Sequence, residues 1–391
     1  MLDITPKADD DGLTLAVMGA SRKENERRLA IDPRHLSRIA DELRPRIFLE
    51  TDYGASFGFD DAELAEWVGG IGTHEELVEH CDVIVQPKPT LDDIAELRPG
   101  QVHWGWPHCV QDPELTQVAI DKQLTLIAFE AMNHWNSDES FSLHVFHKNN
   151  ELAGYCSVLH ALQLKGITGH YGQRRSAAVI GFGATARGAV TCLHGLGIID
   201  VDVLTHRSTA AVAAPIHAAR MVHFENGIGL TDPEFLSPDG TPQSLVSFLA
   251  EHDIIVNCSL QDPTAPMVFL TEDDLPGLSS DNLIIDVSCD AGMGFSWARP
   301  TTFDEPIIQV GDGISYYAVD HSPSHLWKSA TWENSEALLP FLGTVMSGPD
   351  AWKAEPTISR AIEIRDGVVA NPSILAFQGR EERYPHEVLI G

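Results

Sequence analysis

The stretch from Ser176 to Ser208 confines this chain to few folds. An apolar run, Ala177-Ala178-Val179-Ile180, enters a glycine turn, Gly181-Phe182-Gly183-Ala184-Thr185-Ala186. A helix-like segment follows from Thr185 to His194, and a second apolar run, Val201 to Thr205, closes the unit. Strand, glycine turn, helix and strand in about thirty residues is the setting in which a G-x-G-x-x-A pattern reads as a dinucleotide-binding fingerprint. Gly181 gives the tight turn, Gly183 lets the backbone approach a pyrophosphate, and Ala186 lets helix and strand pack closely. The N–H groups at the helix start, Ala184 and Thr185, then face the phosphates. The other reading is a glycine turn of an α/β fold that binds nothing; spacing and flanks both favour the first.

The end of the second strand bears on which dinucleotide. A site for NAD(H) usually places Asp or Glu there, on the ribose hydroxyls. Here the residues are His206-Arg207-Ser208, with no carboxylate. An arginine and a hydroxyl suit a 2′-phosphate, so NADP(H) is favoured over NAD(H); the alternative is that Arg207 is a solvated loop cation. Asn257-Cys258-Ser259 follow another apolar run, from Asp253, and are expected to border the nicotinamide.

Length and charge narrow the class. A chain of 391 residues suggests two or three domains. It has no run of eighteen apolar residues, and its acidic start, MLDITPKADDDGLTLAV, lacks a signal-peptide pattern, so a soluble cytoplasmic protein with no membrane partner is expected. The formal net charge of −31 argues against nucleic acid. It also singles out each cation near a cleft, because an anionic ligand must be met locally. Six scattered cysteines with no C-x-x-C pair point to reduced thiols and to no metal site.

Strand and helix patterns alternate through the first third, as in a parallel-sheet α/β domain. Strand-like runs are Leu13–Met18, Arg46–Glu50, Asp82–Gln86, Val102–Trp106 and Leu124–Phe129. Helices are expected over Pro33–Leu43, Pro113–Lys122, Asn149–Gly166 and Ser322–Met346, and a helix with a short turn over Ile358–Leu375.

Ligands of open α/β sheets bind at the carboxyl ends of strands. Lys88, His108 and Glu130 follow three successive strands, and Arg28 lies after the first. Arginine can grip a carboxylate with two parallel bonds. A neighbouring Lys and His can act as a general acid–base pair. Singly, each has a structural alternative: a solvated lysine, a satisfied histidine, a helix-capping glutamate. Farther on, Asp286 reads as a strand-terminating residue and Asp290 as the better cleft candidate. Asp320-His321 is either a helix N-cap or a contact to cofactor or substrate amine.

The order KENERRLAIDP, VQPKP, WPHCVQD, IGFGATARGA, IIDVSCDAG, DHSPSHL and SEALLPFL resembles the alanine dehydrogenase and transhydrogenase superfamily. It is most similar to the branch holding N5-(carboxyethyl)ornithine synthase and lysine-forming saccharopine dehydrogenase. The resemblance implies an α/β fold of two Rossmann-like domains with parallel sheets flanking a central cleft. Residues 1–145 with 325–391 would form a discontinuous substrate-binding and catalytic domain, and 146–324 the dinucleotide-binding domain. It implies that Arg28 binds a keto-acid carboxylate, that Lys88 and His108 are the acid–base pair, and that Glu130 and Asp290 stand near the chemistry. The DHSPS segment, with Asp320 and His321, matches a substrate element. Two departures bear on substrate choice: Pro89 follows Lys88 where saccharopine dehydrogenase has Glu, and Gln111 replaces a lysine. The expected activity is NAD(P)H-dependent condensation of an amino acid with a 2-keto acid, the alternative being an amino-acid dehydrogenase using ammonia. A homo-oligomer is favoured.

Overall fold

The computed structural model describes residues 12–19, 21–205, 216, 218–224, 234–236, 242–260 and 267–389. The chain divides into two units, Met1–His147 with Trp327–Gly391, and Lys148–Leu326.

In the first unit the short apolar runs become strands: β1 (Leu15–Val17), β2 (Ile47–Glu50), β3 (Gly70–Gly72), β4 (Val83–Val85), β5 (Val102–Gly105) and β6 (Thr125–Ala128). They pair in parallel in the order β3-β2-β1-β4-β5-β6. A hairpin, β7 (Asn133–Trp135) and β8 (Phe141–His144), stands apart as a sheet of its own. Local chemistry sets the connecting helices. Thr73 with Glu76, and Thr90 with Asp93, form capping boxes that start His74–His80 and Leu91–Glu96. Asp112 caps Pro113–Asp121, with proline at the first turn. Apart from the edge strand β3, the strands are buried on both faces, so one apolar cluster covers each side of the sheet.

The second unit repeats the plan. Its seven-stranded sheet uses β9 (Ser176–Ile180), β10 (Asp200–Thr205), β11 (Arg220–His223), β14 (Ile254–Asn257), β16 (Leu283–Asp286), β18 (Ile307–Val310) and β19 (Ile314–Tyr317). Two short pairs, β12 (Glu234–Leu236) with β13 (Pro242–Ser244) and β15 (Val268–Leu270) with β17 (Gly294–Phe295), lie outside it. The order is β11-β10-β9-β14-β16-β19-β18, with only β18 antiparallel. Apart from that edge strand, both sheets follow the doubly wound 3-2-1-4-5-6 order, whose chain reversal beside the first strand opens a ligand crevice.

Three expected helices differ. Pro33–Leu43 forms only a 3-10 turn, Pro33–Arg38, because the chain turns extended at the buried Ile39. Ser322–Met346 is broken into a 3-10 turn, Ser322–Leu326, then Trp327–Leu338, then a turn holding Pro340, then Leu342–Met346. Over Ile358–Leu375 helix is confined to the two ends, in Pro356–Ser359 and Pro372–Gln378, and the middle is a hairpin, β20 (Ile362–Arg365) and β21 (Val368–Val369). Asp366 and Gly367 both take positive φ, 50° and 79°, as a two-residue hairpin turn requires. β20 adds antiparallel to β6, so the returning chain extends the first sheet to eight strands.

Among the described residues no helix is long and apolar enough to cross a membrane. All six cysteines are buried, none in a disulfide.

Candidate active site

The carboxyl edge of the first sheet gathers Lys88, His108 and Glu130. The loops there are laced by main-chain bonds. Gln86 donates to Trp104 O, Trp106 donates to Pro87 O at 2.8 Å, and the Ser21 hydroxyl donates to Lys88 O at 2.7 Å. Lys88 is thereby held between the loop after β1 and the loop after β5. His108 sits at φ 49°, in the left-handed region. That backbone aims its N–H at Glu130 Oε1, 2.7 Å away, and its Nδ1 lies 3.7 Å from the same oxygen. Glu130 stands in a 3-10 turn, Phe129–Ala131, directly after β6. Burial, and then the negative charge of Glu363, push its carboxyl well above the usual range, while the His108 N–H and Lys88 pull it down.

Arg28 is 6% exposed. Its Nε donates to Glu26 Oε1 at 2.9 Å and its Nη2 to Oε2 at 2.5 Å, and its guanidinium lies 4.9 Å from the centre of the Trp106 ring. Trp106 in turn meets Phe129 and Phe146 edge-on. The arginine is thus fixed in direction by a buried carboxylate and an aromatic platform. The loop that carries it is tied down farther out. Gly19 donates to Glu50 Oε2, and His74 bridges Glu50 Oε1 at 3.1 Å and Glu96 Oε1 at 2.6 Å. Glu96 also pairs with Arg22 at 2.5 Å. The two carboxylates raise His74 to about 9, Glu50 contributing most.

In the second unit the glycine turn joins β9 to the helix Ala184–Gly195. Gly181 has φ 113°, and a Cβ there would meet Cys258 O at 2.8 Å. Gly183 is the N-cap, with no side-chain cap bond, and a Cβ there would meet no described atom within 4 Å. The uncapped amides of Ala184 and Thr185 beside an open backbone fit an anionic phosphate. Ala186 is fully buried, but the closest helix approach is elsewhere. A Cβ on Gly188 would lie 1.7 Å from Glu151 O, and one on Gly154 would lie 1.9 Å from Thr185 O. These two glycines let the long helix His147–Lys165 touch the helix of the turn.

His206, Arg207 and Ser208 lie outside the described residues. Asn257, Cys258 and Ser259 are at the end of β14, next to the turn: Cys258 donates to Ile180 O at 2.8 Å, and Asn257 Oδ1 accepts from Ser259. Asp286 is more than a strand terminator. It is fully buried and accepts from Asn257 Nδ2, Tyr316 OH and Cys289 N, and burial raises it to about 6. Asp290, half-buried, lies four residues on. Asp320 bonds His321 Nδ1 at 2.6 Å, and the His321 ring packs on Phe303. The adjoining Ser322 is bonded to Ser157 and to Ala153 O of the long helix.

Four residues escape the motif reading: Glu26, Glu363, Gly154 and Gly188. The alternation Ile362-Glu363-Ile364-Arg365 is a strand signal that could have placed Glu363 on the sheet. Glu26 sits two residues before Arg28, the spacing that puts extended-chain side chains on one face.

A family model described as alanine dehydrogenase/PNT, N-terminal domain, matches residues 19–153, and one described as the C-terminal domain matches residues 162–372. N(5)-(carboxyethyl)ornithine synthase of Clostridium botulinum is 27% identical over 80% of this chain and 89% of its own. Alanine dehydrogenase 2 of Staphylococcus aureus is 22% identical over 90% and 93%. A solved L-alanine dehydrogenase superposes with a TM-score of 0.72 at 18% identity, covering 93% of this chain and 99% of that one. A transhydrogenase from Sinorhizobium meliloti gives 0.63 at 17%, covering 92% and 99%.

Proposed function

This chain belongs to the alanine dehydrogenase/PNT family and is an NAD(P)-dependent oxidoreductase, and from that premise we propose that it is an opine-type dehydrogenase. It joins the amine of an amino acid to a 2-keto acid and reduces the resulting imine to a secondary amine. The carrying observation is the likeness, over 80% of the chain, to a carboxyethylornithine synthase, in a chain that sets Lys88, His108 and Glu130 at one sheet edge.

Arg28, aimed by Glu26 and Trp106, holds the keto-acid carboxylate. His108 and Lys88 move the protons. One takes a proton from the substrate ammonium to free the attacking amine, and one gives a proton to the carbinolamine oxygen as water leaves. Glu130 fixes the backbone of His108. The turn Gly181–Ala186 and the segment Asn257–Ser259 hold the dinucleotide, which when bound supplies the hydride. Asp286 keeps Asn257 in place, Asp290 serves the chemistry, and Asp320 and His321 serve substrate binding. His206-Arg207-Ser208 support NADP(H) over NAD(H). The enzyme works in the cytoplasm as a homo-oligomer.

The test crosses NADPH and NADH with pyruvate, 2-oxoglutarate and glyoxylate, and each with ammonia, ornithine, lysine and other amines. The reading expects oxidation of NADPH only when an amino acid is the amine donor. Turnover with ammonia and none with amino acids would make the chain an amino-acid dehydrogenase.

A further inference from the structure

His144, the last residue of β8, has both ring nitrogens committed. Nδ1 accepts the N–H of Phe146 at 3.0 Å, and Nε2 lies 3.1 Å from Glu130 O. A carbonyl oxygen only accepts, so Nε2 carries a proton. A nitrogen that accepts an N–H carries none. The two contacts together fix the ring as neutral, with its hydrogen on Nε2.

What the ring holds is the turn Phe129–Ala131, which carries Glu130. That turn has no side-chain cap, and its own closing bond is Met132 N–H to Phe129 O at 3.2 Å. The segment at the end of β8 grips it three times. Val145 N–H donates to Met132 O at 2.9 Å, the Phe146 ring stacks on Phe129 with centroids 4.6 Å apart, and His144 takes the Glu130 carbonyl. The segment is itself anchored, because His147 Nδ1 donates to His144 O at 3.2 Å. Glu130 Oε2 is buried with no hydrogen-bond partner among the described residues. The carboxyl is therefore placed from its main chain and from Oε1, not by partners all round.

We propose that His144 is a positioning residue of the acid–base site, its neutral ring pinning the Glu130 carbonyl and so holding the Glu130 carboxyl against His108. This rests on the reading of His108 as one of the acid–base pair. The path is two hydrogen bonds long: His144 Nε2–H to Glu130 O, and His108 N–H to Glu130 Oε1 at 2.7 Å. Oε1 also stands 3.7 Å from His108 Nδ1, and an acceptor oxygen facing that nitrogen favours the charged imidazole.

Only the neutral ring can do this. A proton added at Nδ1 would face the Phe146 N–H, donor against donor. The titratable groups facing His144 are Glu130 in the turn, His134 on β7 and His147 at the head of the next helix. Burial holds the ring below its ordinary 6.5, with His147 and His134 pushing the same way and the Glu130 carbonyl pulling it up. The support is therefore whole above 6.5 and is lost as pH falls through the lowered value.

Two NMR measurements on the full chain with ring-labelled histidines need no substrate. The first reads the tautomer in the native protein, with His144 assigned by its loss in H144Q: at neutral pH a protonated Nε2 and a bare Nδ1 are expected. The second follows the His108 titration, assigned by its loss in H108A. In H144F, which keeps an aromatic ring but neither bond, the His108 midpoint is expected to fall by about half a pH unit, a roughly threefold loss of proton affinity. H144Q, whose amide can donate to Glu130 O and cannot charge, is expected to restore most of it. A His144 ring protonated on Nδ1 at neutral pH overturns the proposal, and that reading stands whether or not H144F folds. An unmoved His108 midpoint in H144F, or one that H144Q shifts as far, overturns the positioning role. Failure of the condensation assay, by contrast, would count against the reaction and not against His144.

Discussion

His108 donates its main-chain N–H to Glu130 Oε1 across 2.7 Å, so the contact between them survives any change of the histidine side chain. His108→Ala therefore removes the imidazole while keeping the loop anchored, and histidine already bears the cost of a Cβ in the left-handed region. Turnover is expected to fall by about 10²- to 10⁴-fold, the range for losing a general acid or base. Lys88→Met should do the same. Steady-state kinetics alongside thermal unfolding decide it: unchanged turnover in either variant would remove the acid–base assignment.

Arg28 combines a two-pronged bond to Glu26 with stacking on Trp106. Lysine cannot reproduce the two-pronged bond. In Arg28→Lys the KM for the keto acid is expected to rise about 10- to 100-fold, as for loss of a charge-assisted hydrogen bond. The KM for the dinucleotide should stay within twofold. A keto-acid KM equal to that of the native protein would show that the carboxylate is held elsewhere.

The two glycines of the turn should separate folding from binding. Gly181→Ala forces a side chain into φ 113° and against Cys258 O, a cost on the order of 2 kcal/mol. Gly183→Ala has φ −78° and meets no described atom within 4 Å, so folding stability should hold within about 0.5 kcal/mol. Dinucleotide binding by Gly183→Ala should nevertheless weaken by about tenfold or more, because the methyl occupies the path to the pyrophosphate. Equilibrium unfolding and titration calorimetry on both variants report the two effects. Unaltered dinucleotide affinity in Gly183→Ala would contradict the assigned role of this turn.

His74 gives a pH signature. Its folded value, about 9, lies above its ordinary 6.5, so the protonated ring stabilises the folded state. That contribution is whole below pH 6.5 and is lost as pH rises through 9. His74→Gln is expected to flatten the fall of stability between those limits, in urea unfolding followed across pH. A variant whose slope matches the native protein would mean that the Glu50–His74–Glu96 bridge is not held in solution.

The repeating strand-and-helix pattern was legible because parallel strands buried on both faces are short, wholly apolar runs. Lys88, His108 and Glu130 could be placed from the same pattern, since a residue just past such a run must lie at the sheet edge. Arg28 was visible as a cation after the first strand, but its Glu26 partner needed coordinates. Glu363 escapes the pattern because Ile358–Leu375 reads as a helix with a short turn rather than as a strand pair. The Asp366-Gly367 turn signals a hairpin, but the alternating run before it is only four residues long. Asp286 was undervalued because a strand-end acid usually meets solvent, whereas Tyr316 and Asn257 enclose this one. Gly154 and Gly188 leave no motif; their role depends on two helices crossing, which no local pattern encodes.

The most direct measurement is the mass of the product. The chain is incubated with NADPH, pyruvate or 2-oxoglutarate, and nitrogen-labelled ornithine or lysine, with ammonium present in equal amount. The account predicts a labelled secondary amine whose mass is that of amine plus keto acid, less water, plus two hydrogens. Unlabelled alanine or glutamate as the sole reduced product, with the labelled amine returned intact, would contradict it.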